Sequence, residues 1–206
     1  MRSIIRSLTW PTIMGVVPIL LAFLVLAAPV WAAHQPTDVV RAGTIRAAEA
    51  LRSERLPNPA VSNDTEFNRL AEIAGDFFDF EEMGRRVLGR HWKIQAPEKR
   101  QEFIRLFNHL LYTTYIDKVE DMKGAQIEFC NEEIDGRYAT VQTRAPYRQN
   151  MIEIKFRLKM RNEDWRVYDV VVEGISLIHN YRSQFNSILS RQSFDDLLAL
   201  LKEKVN

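Results

Sequence analysis

The stretch 169–185, DVVVEGISLIHNYRSQF, constrains the fold more than any other part of the chain. Val170, Val171 and Val172 read as a strand, Glu173 and Gly174 interrupt it, and Leu177, Ile178, Tyr181, Phe185 and Ile188 follow at helical spacing. Successive strand residues point to opposite faces, so Val170 and Val172 share one face and Val171 takes the other. A strand apolar on both faces belongs inside a sheet. The helix that follows must fold back on that sheet.

Upstream, period-two segments predict strands over 125–132, 137–145, 151–161 and 165–173, separated by Asp135-Gly136, by 146–150 and by 162–164. Connections this short make neighbouring strands antiparallel. In the third strand Ile152, Ile154, Phe156, Leu158 and Met160 alternate with Glu153, Lys155, Arg157, Lys159 and Arg161, which gives a dry face and a wet one. Before the sheet, Thr37-Asp38 starts a helix carrying Val39, Val40 and Ile45, and 65–74 reads as a second. Asp79 caps a third, with Glu81 and Glu82 in its first turn, Arg85 and Arg86 late and Gly89 at its end. Pro97-Glu98 opens the longest, whose stripe runs Phe103, Leu106, Phe107, Leu110, Leu111 and Tyr115. Helices over 176–191 and 194–205, the last capped by Ser193, close the chain. The expected class is α+β, with helices packed over one face of a four-stranded antiparallel sheet.

Residues 1–32 have the pattern of a secretory signal peptide. Arg2 and Arg6 precede the apolar run 13–28, and Val30-Trp31-Ala32 suits cleavage, which leaves 33–206 as one domain of 174 residues. Kept uncleaved, the uncharged segment 10–33 is long enough to anchor the chain in a bilayer. Taking Arg2 and Arg6 from the 28 basic residues leaves 26 against 27 acidic, a formal charge of −1, which gives no footprint for nucleic acid. Cys130 is the only cysteine, so no internal disulfide forms and a core must supply the stability.

Motifs for chemistry are missing. His34, His91, His109 and His179 have no partner at a metal-site spacing, and neither a G-x-S-x-G elbow nor a phosphate-binding G-x-x-x-x-G-K loop occurs. No catalytic residue, metal or cofactor is expected. Asp169 and Glu173 share a strand face about 13 Å apart, too far for a glycosidase-type pair, and read as acids bonded to donors such as Arg182. Arg85, Arg86, Arg90, His91 and Lys93 gather near the end of the third helix, either as a solvated face or as a docking surface for acidic partners or lipid phosphates. The large apolar set serves either a closed core or a cavity between helices and sheet.

Two runs carry a family resemblance: DFEEMGRRVLGRHWKIQAPEKRQEFIRLF at 79–107 and, more specifically, WRVYDVVVEGISLIHNYRSQF at 165–185. They resemble the MlaC, or toluene-tolerance, family of periplasmic phospholipid-binding proteins. Ala96 departs from the Ser or Thr that commonly precedes Pro-Glu there. The resemblance implies a periplasmic carrier that moves phospholipid between an inner-membrane ABC transporter complex with an MCE-type subunit and an outer-membrane lipoprotein complex, acyl chains buried and head group exposed. At ~0.8 kcal/mol per CH₂, exposing one chain of about 15 methylenes costs on the order of 12 kcal/mol, so such a lipid needs apolar cover to cross water. The expected lining is Phe107, Leu111, Tyr115, Ile154, Phe156, Val170, Val172 and Tyr181, with Arg90 and Lys93 meeting a head group or partner. A hopanoid or other polycyclic lipid is an alternative cargo. An NTF2-like enzyme using Asp169, Tyr168 and His179 is an alternative of another class, and a structural envelope protein with a filled core is a third.

Overall fold

The computed structural model describes residues 35–53, 72, 74–122 and 124–205. The signal-like segment 1–32 and nearly all of the helix expected over 65–74 lie outside the described residues. Among the described residues no helix is long and apolar enough to cross a membrane.

Helix α1 (Pro36–Ser53) begins with proline at its first position, where a missing N–H costs nothing, and its start precedes the Thr37-Asp38 expected from sequence. Helix α2 (Phe80–Leu88) has the caps its sequence announces. The Asp79 carboxylate accepts from the Glu82 N–H at 2.9 Å, and Gly89, at φ +54°, ends the helix in a single 3-10 turn, Gly89–His91. The long helix α3 (Pro97–Asp121) leads into the sheet. Strands β1 (Glu128–Asp135), β2 (Tyr138–Tyr147), β3 (Asn150–Arg161), β4 (Asp164–Val172) and the two-residue β5 (Ile175–Ser176) pair antiparallel in sequence order. Helices α4 (Leu177–Leu189) and α5 (Phe194–Val205) complete the fold. At the start of α5 the Asp196 N–H donates to Ser193 Oγ while the Ser193 N–H donates to Asp196, a reciprocal cap.

The α+β class stands, and the structure adds detail. There are five strands because Glu173 and Gly174, at φ +49° and +79°, turn the chain so tightly that Ile175 and Ser176 pair back on Val172 and Val171 before α4 starts. On the same edge of β4 a parallel bridge joins Phe78 to Val167, so β4 is flanked on both sides there, as its apolar run predicts. A bulge at Tyr168 shifts the register between Leu158↔Val167 and Arg157↔Asp169, which returns Val170 and Val172 to the dry face. Strand β1 starts three residues later than the alternation indicates, since the Ala125 N–H is held in a turn to Met122.

Helices meet both sheet faces. Val40 of α1 is fully buried on the dry face with Val141, Phe156, Leu158, Trp165 and Val167, and Gly43 lets Phe77 pack where a Cβ would stand 2.4 Å from the ring. The remaining helices build their own cluster around Met83, Phe103, Leu106, Phe107, Phe185 and Leu197. That cluster is fastened to the wet face by three buried carboxylates. Asp79 accepts from Arg161 at 3.1 Å, Glu82 pairs with Arg85, Arg86 and Lys159, and Asp169 accepts from Arg157 at 3.1 Å, from Ser176 Oγ at 2.7 Å and from the Ile178 N–H at 3.1 Å. Buried acids survive only when paired in this way.

Candidate functional site

The eight residues expected to line a lipid cavity fall into two groups of four. Phe107, Leu111, Tyr115 and Tyr181 belong to the helical cluster, where the Phe107 and Tyr181 rings meet edge to face at 5.3 Å. Burial pushes the Tyr115 hydroxyl up to about 12, helped by the neighbouring Tyr181 and the hydrogen bond between the two. Ile154, Phe156, Val170 and Val172 lie together on the dry face, where the register pairs Ile154 with Val172 and Phe156 with Val170. Phe78 packs against both clusters and, among the described residues, is the apolar residue common to them.

The dry face is open at one end. Exposure rises from Phe156 at 8% and Ile154 at 9% to Ile175 at 63%, which stands opposite Val172 at the sheet margin. Half-exposed Met151 lies at the same end, beside half-buried Ile152. Sequence reasoning missed Ile175, because a residue between a glycine turn and a helix cap carries no periodic signal. Its pairing with Val172 exists only in the folded sheet.

Arg90 and Lys93 are exposed around the 3-10 turn, next to Ile94, which is 76% exposed. Arg90 touches His91 at 3.3 Å, and among the described residues neither Arg90 nor Lys93 pairs with a carboxylate. No described contact joins either of them to the eight apolar residues.

The polar groups weighed for catalysis have structural work. Both Asp169 oxygens are taken by α4 and β3, and its donors are Arg157, Ser176 and the Ile178 N–H rather than Arg182, whose guanidinium lies against Gly89 instead. Glu173 is exposed and accepts from the Glu153 N–H. The Arg86 guanidinium stacks on Tyr168, 4.0 Å from the ring centre, and His179 is exposed on α4. Among the described residues no group of three His, Cys, Asp or Glu is placed to hold a metal ion.

Burial would raise the Glu82 pKa, but hydrogen bonds from Arg85 and Lys159 and the charges of Arg86 and Arg85 outweigh it and hold the carboxyl below its ordinary value. The site therefore offers apolar surface set beside a firmly ionised joint.

The chain is similar to the intermembrane phospholipid transport system binding protein MlaC of Haemophilus influenzae, 24% identical over 136 residues. That match covers 63% of this chain and spans 64% of the relative's length. It is also similar to the toluene tolerance protein ttg2D of Pseudomonas putida, 25% identical over 88% of this chain and 84% of the relative. Its fold matches the phospholipid-binding protein of Ralstonia solanacearum, solved in complex with a phospholipid, with a TM-score of 0.73 at 19% identity over 83% of this chain and 97% of that one. The family model described as MlaC protein matches residues 49–203, most of the length, and the chain belongs to the MlaC family.

Proposed function

We propose that this protein is a periplasmic lipid carrier that holds phospholipid acyl chains on apolar surface and shuttles the lipid between an inner-membrane ABC transporter complex with an MCE-type subunit and an outer-membrane lipoprotein complex. In this reading 1–32 is the export signal and 33–206 the single lipid-binding domain, and the protein is a carrier rather than an enzyme. Membership of the MlaC family, whose fold is shared by a protein solved with a phospholipid, is the observation that carries the reading.

The acyl chains lie along Ile154, Phe156, Val170 and Val172, entering at the open end beside Ile175. Phe107, Leu111, Tyr115 and Tyr181, the other four residues of the expected lining, belong to the helical cluster on the opposite side of the sheet and are a separate apolar surface in this reading. Aliphatic side chains on a sheet present a long, even surface without hydrogen-bonding demands, which suits a methylene chain. Arg90 and Lys93, which pair with no carboxylate among the described residues, serve as contacts for an anionic head group or partner.

The test is native mass spectrometry of the protein purified from the periplasm without detergent, followed by lipid extraction. A diacyl phospholipid at near one per chain is expected. A hopanoid or sterol would keep the carrier and change the cargo. A lipid-free mass that persists after incubation with phospholipid vesicles would overturn the carrier reading.

A further inference from the structure

We propose that the cleft between the end of α2 and helix α4 binds a phosphate group, gripped by Arg90 from one wall and Arg182 from the other. The cleft is open to solvent and has a volume of about 400 Å³. It is lined by buried Val87 and Leu88 with Gly89 and Arg90 at the end of α2, and by His179, Arg182, Ser183 and Asn186 from α4.

Two independent features make this a site for an anion. First, among the described residues no carboxylate lines the cleft, although most of the cations nearby have one: Arg85 and Arg86 pair with Glu82, Arg157 with Asp169, and Arg161 with Asp79 and Glu81. Among the described residues Arg90 and Arg182 have no such partner. Two arginines that line one concave space without carboxylate partners, Arg90 with its Nε on His91 and Arg182 beside Gly89, leave a positive potential that an anion relieves. Second, the backbone is shaped for Arg182. A Cβ on Gly89 would stand 3.2 Å from Arg182 Nη2, and the φ of +54° there strains any side chain, so the guanidinium rests on bare main chain at the cleft wall.

The lining chemistry selects phosphate. Planar forks of N–H donors match pairs of phosphate oxygens, and the Asn186 amide and the His179 imidazole line the same space with further donors, while the Ser183 hydroxyl donates to the His179 carbonyl at 3.0 Å. The phosphate can be the diester of a lipid head group or the free ion. The proposal extends the role given to Arg90, but the cleft shares no residue with the acyl-chain surface and does not depend on acyl chains binding there.

The experiment is a titration of the ¹⁵N-labelled intact protein, followed by amide shifts, with inorganic phosphate and with glycerophosphoglycerol as a soluble head group. Sodium chloride at matched ionic strength is the control. Saturable shifts at Gly89, Arg90, His179 and Ser183 are expected with at least one probe and not with chloride. Arg182→Gln should weaken binding at least tenfold, and Arg182→Lys, which keeps the charge and loses the fork, should weaken it less. Arg90→Gln removes an exposed side chain and gives the same reading should the Arg182 variants fail to fold. Tighter binding of the diester assigns the site to a head group, and tighter binding of inorganic phosphate assigns it to the free ion. No saturable shift with either probe, or shifts that Arg90→Gln leaves unchanged, would overturn the site. A protein that proved lipid-free yet showed saturable phosphate shifts would end the carrier reading and leave the cleft standing.

Discussion

The helical cluster and the dry face of the sheet both bury large apolar residues, but one is closed by interlocking rings and the other is a row of side chains with an open end. In the helices, Phe103 stacks with Phe107 at 5.7 Å, and Phe185 meets both rings edge to face at 5.8 Å. Such rings fit in one arrangement and leave little room to shift. On the sheet, mostly aliphatic residues alternate along β3 and β4, and burial runs out at Ile175. The comparison separates residues that hold the molecule together from residues free to meet a ligand. Three buried carboxylates, Asp79, Glu82 and Asp169, fasten the first region to the sheet's other face.

The largest expected effect breaks the closed region. Phe107→Ala should cost about 4 kcal/mol in urea-induced unfolding, because a fully buried ring leaves a cavity its neighbours cannot fill. A loss of less than about 2 kcal/mol would mean that the helical cluster gives way easily and that the contrast with the sheet is unfounded.

Glu82→Ala tests the joint. It leaves Arg85, Arg86 and Lys159 facing one another and should cost about 3 kcal/mol. Since Glu82 is held below its ordinary value in the folded state, its contribution is present above the unfolded pKa and is lost as pH falls through the folded one. Thermal melts down the acid range should show that limb in the wild type and a flatter one in Glu82→Gln. Equal acid limbs would remove Glu82 as its source.

On the open region, Val172→Arg should lower the lipid recovered per chain several-fold while shifting stability by no more than about 1 kcal/mol. Lys155→Gln, on the other face of β3, should leave the recovered lipid unchanged. If Leu111→Arg depletes lipid and Val172→Arg does not, the helical wall and not the sheet is the lining.

The smallest effect is at Tyr115. Removing its hydroxyl in Tyr115→Phe should cost about 1 kcal/mol through the lost bond with Tyr181. The folded state raises this pKa, so the tyrosine's contribution is full below the ordinary value and is lost as pH rises through about 12. An alkaline melt series should show a shallower decline in Tyr115→Phe than in the wild type, and parallel declines would place the titrating group elsewhere.

Much of this architecture was legible before folding was considered. Asp79 and Gly89 at the ends of α2, Ser193 before α5, Pro97 at the head of α3 and the alternation of β3 all act through neighbours a few residues away. The runs at 79–107 and 165–185 carried the family for the same reason, as contiguous sequence. The lining was less legible, because an apolar residue on a helix and one on a strand look equally buriable. The stripe at Phe107, Leu111 and Tyr115 gives no sign that it packs against α4 and α5 while Phe156 and Val170 pack with α1. The sequence alone could not choose Arg157 over Arg182 as the partner of Asp169, nor draw Arg90 and Arg182 to one cleft.

By itself, then, the sequence determined the longer elements among the described residues, the caps of α2 and α5, the class and the family, while the two-residue β5 appeared only in the folded sheet. The tertiary structure alone decided which face each helix covers, which buried acids join the layers and where the apolar surface stays open. The physical reason is range: helical and strand periods and caps are settled by hydrogen bonds within a turn or a hairpin, whereas burial and charge pairing depend on which distant surfaces exclude water from each other.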